Sequence, residues 1–183
     1  LPTALGAVGT ARQLEVPFAG IPAALAEFTG AERRFQVRGE RRGVMVVDDY
    51  GHHPTEISAV IAAARATGRR LLVVFQPHRY TRTRDLMPEF AQALSTADEV
   101  VLTDIYPAGE APIENVTVDA LADVVRAGST RPLHVIHQLA EIPARVVEIA
   151  RTGDLIITLG AGTIGGVGDR ILAGLDPPGE KTT

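Results

Sequence analysis

The chain has 183 residues, 45% of them hydrophobic, and a formal net charge of −4. That length suits one domain plus an appendage, and a mildly acidic chain with no basic face argues against non-specific nucleic-acid binding. The absence of cysteine excludes disulfides and thiolate sites and fits a cytoplasmic protein; no apolar run approaches the ~18 residues of a membrane span, and no signal peptide is visible.

Aromatic residues make up 4% of the chain, so Val, Ile, Leu and Ala must fill the core. The chain begins at Leu1, already in a helix-like pattern, as expected of a piece of a longer protein. Two helices are predicted first, Thr3–Glu15 and Ile21–Phe28, the second with Pro22 in its first turn and Gly30 as a stop. Arg34–Arg38 alternates and reads as a strand. Gly39–Gly43 is turn chemistry, so Val44–Asp48 returns antiparallel to it. From there strands alternate with helices. The strands are Val44–Asp48, Leu71–Gln76, Val100–Asp104, Leu133–Ile136 and Leu155–Leu159. The helices are Thr55–Ala66, Thr83–Ser95, Val118–Ala127, Leu139–Ala150 and Ile164–Leu172. Continuous apolar strands between helices predict a parallel sheet covered on both faces, and right-handed crossovers make it doubly wound. The expected fold is α/β: six strands, mostly parallel, with one antiparallel edge strand. The polar tail from Asp176 is expected to fray.

Three polar loops, Asp48–Glu56, Gln76–Arg84 and Asp104–Glu110, each follow a parallel strand. In such a sheet the carboxyl ends of the strands share one edge, where ligands bind. Arg79 and Arg82 stand three apart at a predicted helix start and would share a face if the first turn begins there. Guanidinium forks and a helix N-terminus imply a small carboxylate or phosphate ligand. His52 and His78, with ordinary pKa values near ~6.5, suit proton transfer near neutrality. His134 and His137, in and after a strand, read as structural. Gly160–Gly165 fits G-x-G-x-x-G, but the chain ends before the acid-terminated strand that a dinucleotide site needs; it reads as a tight strand-to-helix turn. Gly174–Thr182 resembles a phosphate loop with Glu180 as one residue too many, and it reads as tail.

Asp48–Ile57 (DDYGHHPTEI), Phe75–Thr83 (FQPHRYTRT), Asp104–Ile113 (DIYPAGEAPI) and Gly160–Ile164 (GAGTI) together resemble the Mur ligases, the ATP-dependent amide-forming enzymes of peptidoglycan synthesis. Within that family they are most similar to the branch that joins L-alanine to UDP-N-acetylmuramate. The resemblance implies three domains: one for the UDP-sugar, a central one with the phosphate loop, and a C-terminal Rossmann-like one for the amino acid. This chain would be residues 1–30 of the central domain's end, 31–175 of the C-terminal domain, and a 176–183 tail. Its partners would be the missing N-terminal and central domains, with no nucleic acid or membrane involved. The implied reaction activates the muramate carboxylate with ATP as an acyl phosphate, which the alanine amine then attacks. By motif, Tyr50, His52, His78, Arg79 and Arg82 surround L-alanine, with His52 and His78 catalytic. Arg34 and Asp49 contact the ATP ribose and phosphates. The family's adenine-contacting Asn segment falls near the start of the chain, where Thr3 stands. The resemblance puts most Mg2+ ligands on the central domain, and no metal ligand is assigned here.

Three alternatives remain at this point. They are the related ligase that recycles a murein tripeptide, a non-catalytic anion-binding module of the same fold, and, on the glycine turn alone, a nicotinamide-dependent oxidoreductase. The fragment by itself is expected to be inactive.

Overall fold

The computed structural model describes residues 2–27 and 32–176. The stop at Gly30 and the tail beyond 176 lie outside them. The chain divides into two compact units, Leu1–Glu32 and Arg33–Thr183.

The first unit contains α1 (Pro2–Gln13) and α2 (Ile21–Glu27), joined through a 3-10 turn at Phe18–Gly20. After α1, Glu15 adopts φ 57° and the Val16 N–H returns to the Ala11 carbonyl at 2.9 Å. This left-handed stop satisfies a terminal carbonyl ahead of Pro17.

The second unit is a six-stranded sheet, lettered here in chain order as β1 (Gln36–Arg41), β2 (Val44–Asp49), β3 (Arg70–Phe75), β4 (Glu99–Leu102), β5 (Leu133–Val135) and β6 (Asp154–Leu159). Its lateral order is β1-β2-β6-β3-β4-β5. β1 is antiparallel to β2, and all other pairs are parallel. Side chains alternate across the strands. Leu71, Val73 and Phe75 join a core under α3 (Pro54–Arg65), α5 (Met87–Leu94) and α6 (Val118–Gly128). Leu72 and Val74 join a second core under α7 (Ile142–Ile149) and α8 (Val167–Leu175). Helices therefore cover both faces, as the apolar strands predicted.

Several bounds shift by one to three residues, as where α7 begins at Ile142 and not Leu139, and at three places the difference changes the local structure. β1 starts at Gln36, not Arg34, because Arg33 and Phe35 adopt positive φ (56° and 47°). It runs to Arg41, with a register shift between Val37 and Gly39. The hairpin turn is thus Arg42-Gly43 alone, both at positive φ (52° and 75°), the arrangement that matches strand twist in two-residue hairpins. The helix predicted over Thr83–Ser95 is two helices, α4 (Tyr80–Asp85) and α5, broken at Leu86. Pro88 supplies no N–H and its ring would meet the carbonyl four residues back, so the helix restarts there. The segment after β6 opens as a 3-10 turn, Thr163–Gly166, before α8 begins.

The position of β6 matters most for the site. The helices that follow β2 and β3 pack on one face of the sheet, and α8, which follows β6, packs on the other. Adjacent strands whose exits diverge leave a crevice at their carboxyl ends. Here the crevice flanks β6, between the loops after β2 and β3.

Candidate active site

Asp48 closes the bottom of the crevice. It is buried, accepts from the Thr158 hydroxyl at 2.7 Å, and pairs with Arg33 Nε at 2.7 Å. Arg33 also donates to the Gly160 carbonyl at 2.5 Å. The next residue, Asp49, is turned inward. Its oxygens accept the Phe35 and Gly51 backbone N–H groups, each at 2.7 Å, and it is 3% exposed. Asp49 thus shapes the loop, its carboxylate engaged by these two backbone donors. Arg34 is exposed, with its guanidinium 5.8 Å from the centre of the Tyr50 ring. Arg33 lies 5.3 Å from the same ring.

His53 is the N-cap of α3, accepting from Thr55 N–H, and Glu56 accepts from the His53 N–H in return. Glu56 also accepts the His52 N–H at 3.0 Å. Burial opposes ionisation of Glu56, but these hydrogen bonds and the nearby charges of His52 and Arg34 outweigh it, so its pKa lies below the usual value. The paired histidines are thereby divided: His53 caps the helix and His52 faces the rim.

Four rings then bridge the loops. Tyr50 meets His52 edge-on at 5.3 Å, His52 and His78 are 5.5 Å apart, and His78 stacks on Tyr106 at 5.5 Å. The hydrogen bonds set the tautomers. His52 Nδ1 lies 3.0 Å from the Tyr50 carbonyl; a carbonyl only accepts, so Nδ1 carries the proton and Nε2 of the neutral ring is an acceptor. His78 Nδ1 lies 3.3 Å from Arg82 Nη1; a guanidinium only donates, so in His78 the proton is on Nε2. Burial, and then the Arg82 charge, lowers the His78 pKa below its ordinary value, which keeps that ring neutral at pH 7.

Arg79 and Arg82 part company. Arg79 precedes α4, with φ 75°, and its guanidinium lies 3.7 Å from Glu110. Arg82, inside the helix, turns to His78. The shared face expected from their spacing fails because the first turn begins at Tyr80. His134 and His137 are bound elsewhere, to Glu99 and Asp104, each at 2.7 Å.

The glycine turn is part of the crevice wall. A Cβ on Gly162 would lie 2.6 Å from both Tyr106 Cγ and Gln76 Oε1. The buried Gln76 amide accepts the Ile164 N–H at 3.1 Å and donates to the Thr163 hydroxyl at 3.2 Å. Sequence reasoning missed Arg33, Gln76 and Thr158. Each acts through a partner distant in sequence; Gln76 lies within a quoted motif, Thr158 stands just before another, and Arg33 stands beside Arg34. No group of three or more His, Asp or Glu residues among the described ones is placed to hold a metal ion.

Residues 33–162 match the family model described as Mur ligase, glutamate ligase domain. The chain belongs to the Mur ligase family. Among curated Mur ligases, a UDP-N-acetylmuramate–L-alanine ligase of Myxococcus xanthus is 49% identical over 170 residues, covering 92% of this chain and 36% of that protein. Its counterpart from Burkholderia mallei is 51% identical over 172 residues, with 90% and 37% covered. Of solved structures, the UDP-N-acetylmuramate-alanine ligase of Thermotoga maritima superposes with a TM-score of 0.72 at 26% identity, over 93% of this chain and 36% of that one. A murein peptide ligase of Psychrobacter arcticus gives 0.68 at 25%, over 94% and 36%. The chain spans about a third of the length of the Mur ligases it matches. No described helix is long and apolar enough to cross a membrane.

Proposed function

We infer that this chain is the amino-acid-binding, C-terminal part of a cytoplasmic ligase that joins L-alanine to UDP-N-acetylmuramate in peptidoglycan synthesis. Residues 1–30 would end its central domain, and the missing domains complete the nucleotide and sugar sites. The observation that carries this reading is the His52–His78 pair beside Arg82, with an acceptor nitrogen on one ring and a donor on the other.

L-Alanine arrives as an ammonium carboxylate. Arg82 and the His78 Nε2–H form a donor pair for its carboxylate, and Tyr50 walls the rim. His52 Nε2 is the acceptor for the ammonium proton, which must leave before nitrogen attacks. Its Nδ1–H, held on the Tyr50 carbonyl and near Glu56, steadies the imidazolium that forms. When bound, ATP supplies the phosphoryl group that activates the muramate carboxylate, with Mg2+ held largely outside this chain. Arg34 is the residue here that would meet the ribose or phosphates. As nitrogen bonds to the acyl carbon, the bond to phosphate breaks; the departing phosphate takes the nitrogen's second proton, and the first stays on His52.

The test is phosphate release by the full-length protein with ATP, UDP-N-acetylmuramate and each amino donor in turn. Alanine-dependent release and amide product are expected. Turnover with a murein tripeptide in place of alanine would assign it to the recycling ligase. The absence of turnover with either would leave a non-catalytic anion-binding module. The 183-residue chain alone should release no phosphate from ATP above a heat-treated control.

A further inference from the structure

Helix α4 lacks a cap of its own. Its N-cap residue, Arg79, makes no side-chain capping bond. The missing acceptor comes from another loop. Glu110, beyond β4, accepts the Thr81 N–H at 3.0 Å and the Thr81 hydroxyl at 2.7 Å, and lies 3.7 Å from Arg79 Nη1. Two backbone bonds join the same loops: Arg79 N–H to the Tyr106 carbonyl and Tyr106 N–H to the Pro77 carbonyl, both 2.8 Å. The strained left-handed backbone of Arg79 persists because these contacts over-determine it. The hydrogen bonds from Thr81 hold the Glu110 carboxyl below the usual carboxylate range.

We propose that Glu110 is a positioning residue of the amino-acid site, an internal carboxylate that caps α4 and holds Arg79, so that the substrate carboxylate falls to Arg82 and His78. The substrate's identity rests on the ligase reading; the geometry does not. A carboxylate already sits where the first turn of α4 would attract an anion, so the substrate does not bind there. Arg82 lies one residue past Thr81 in a helix of six residues. Its distance to His78 therefore depends on the first turn that Glu110 holds.

The decisive variant is Glu110→Gln, which keeps size and one acceptor oxygen but loses the charge. In the chain as it stands, NMR should show the Thr81 amide exchanging roughly tenfold faster. The His78 midpoint should fall, because Glu110 is the anion among the groups facing it, the others being Arg79, Arg82, His52 and the Tyr106 ring. In the full-length protein, KM for alanine should rise about three- to tenfold, the range of one or two weakened hydrogen bonds, while kcat and KM for ATP stay within about twofold. If Gln prevents folding, Glu110→Asp keeps the charge but shortens the reach to Thr81, so it should speed Thr81 exchange and retain the His78 midpoint. Unchanged Thr81 exchange in either variant, or an unchanged His78 midpoint in Glu110→Gln, would overturn the proposal. So would a lower KM for alanine, which would make Glu110 a competitor for Arg79. If the unmodified full-length protein makes no alanyl amide, the ligase reading fails, and the NMR measurements still decide the role of Glu110.

Discussion

Arg82 Nη1 lies 3.3 Å from His78 Nδ1, close enough for the cation to fix the tautomer of the ring and to oppose its protonation. The loop after β3 thereby presents a guanidinium and an N–H donor side by side. Arg79, three residues before Arg82, is turned to Glu110. Two arginines that are equivalent by spacing are unequal in place.

Replacing Arg82 with Ala in the full-length protein should lower kcat/KM for alanine by about ten- to a hundredfold. A hydrogen bond to a charged group contributes ~1.5–3 kcal/mol, and each ~1.4 kcal/mol is tenfold. Arg79→Ala should cost clearly less, because that guanidinium already has a carboxylate partner. Lys at position 82 should rescue in part, keeping charge without the planar fork. Steady-state kinetics with each substrate varied decides it. A raised KM for ATP with that for alanine unchanged would remove this loop from the amino-acid site.

His78 links the site to acid stability. Its folded-state pKa lies below the ordinary 6.5, chiefly through burial and then the Arg82 charge. Below the unfolded value the unfolded chain binds more protons than the folded one, so this contribution is complete above pH ~6.5 and is lost as pH falls through the folded pKa. Urea denaturation at pH 7 and pH 5 should show His78→Asn losing less stability on acidification than the parent chain. An equal loss in both would mean that His78 protonates freely when folded.

Asp48→Asn should destabilise the domain by about 1.5–3 kcal/mol, the range for hydrogen bonds to charged groups, because it leaves Arg33 without its carboxylate and weakens the Thr158 contact. Arg33 is partly exposed, so solvent limits the cost. The midpoint of chemical denaturation measures it. A change below about 0.5 kcal/mol, the ordinary range for surface substitutions, would show the pair to be dispensable.

Gly162→Ala places a methyl group 2.6 Å from Tyr106 Cγ and from Gln76 Oε1. Neither neighbour yields without cost: the Tyr106 backbone is bonded on both sides, so only its ring can turn out of the stack, and Gln76 is held through its amide. Overpacking of this kind costs about 1–3 kcal/mol. The ring resonances of His78 should shift as Tyr106 leaves its stacked position. Unchanged resonances with unchanged stability would mean that the crevice wall is soft.

The apolar strands and their polar exits were legible in the sequence because side-chain alternation and helix periodicity are local properties. So were the parallel sheet, its covered faces and the rim carrying Tyr50, His52, His78 and Arg82, since consecutive parallel strands put their exits on one edge. The motif pointed to His52, but the capping role of His53 was not legible, because it depends on which imidazole meets the first turn of α3. Nor was the inward turn of Asp49, whose acceptors are used by Phe35 and Gly51 N–H groups. Above all, chain order carries no lateral order. The insertion of β6, the last strand in sequence, between β2 and β3 is decided by which apolar faces pack best across the sheet. That insertion brings Gly160, Gly162 and Arg33 against the loops and makes the crevice. The unequal roles of Arg79 and Arg82 likewise arise from a left-handed backbone that only the neighbouring loop, bonded through Tyr106 and Glu110, can hold in place.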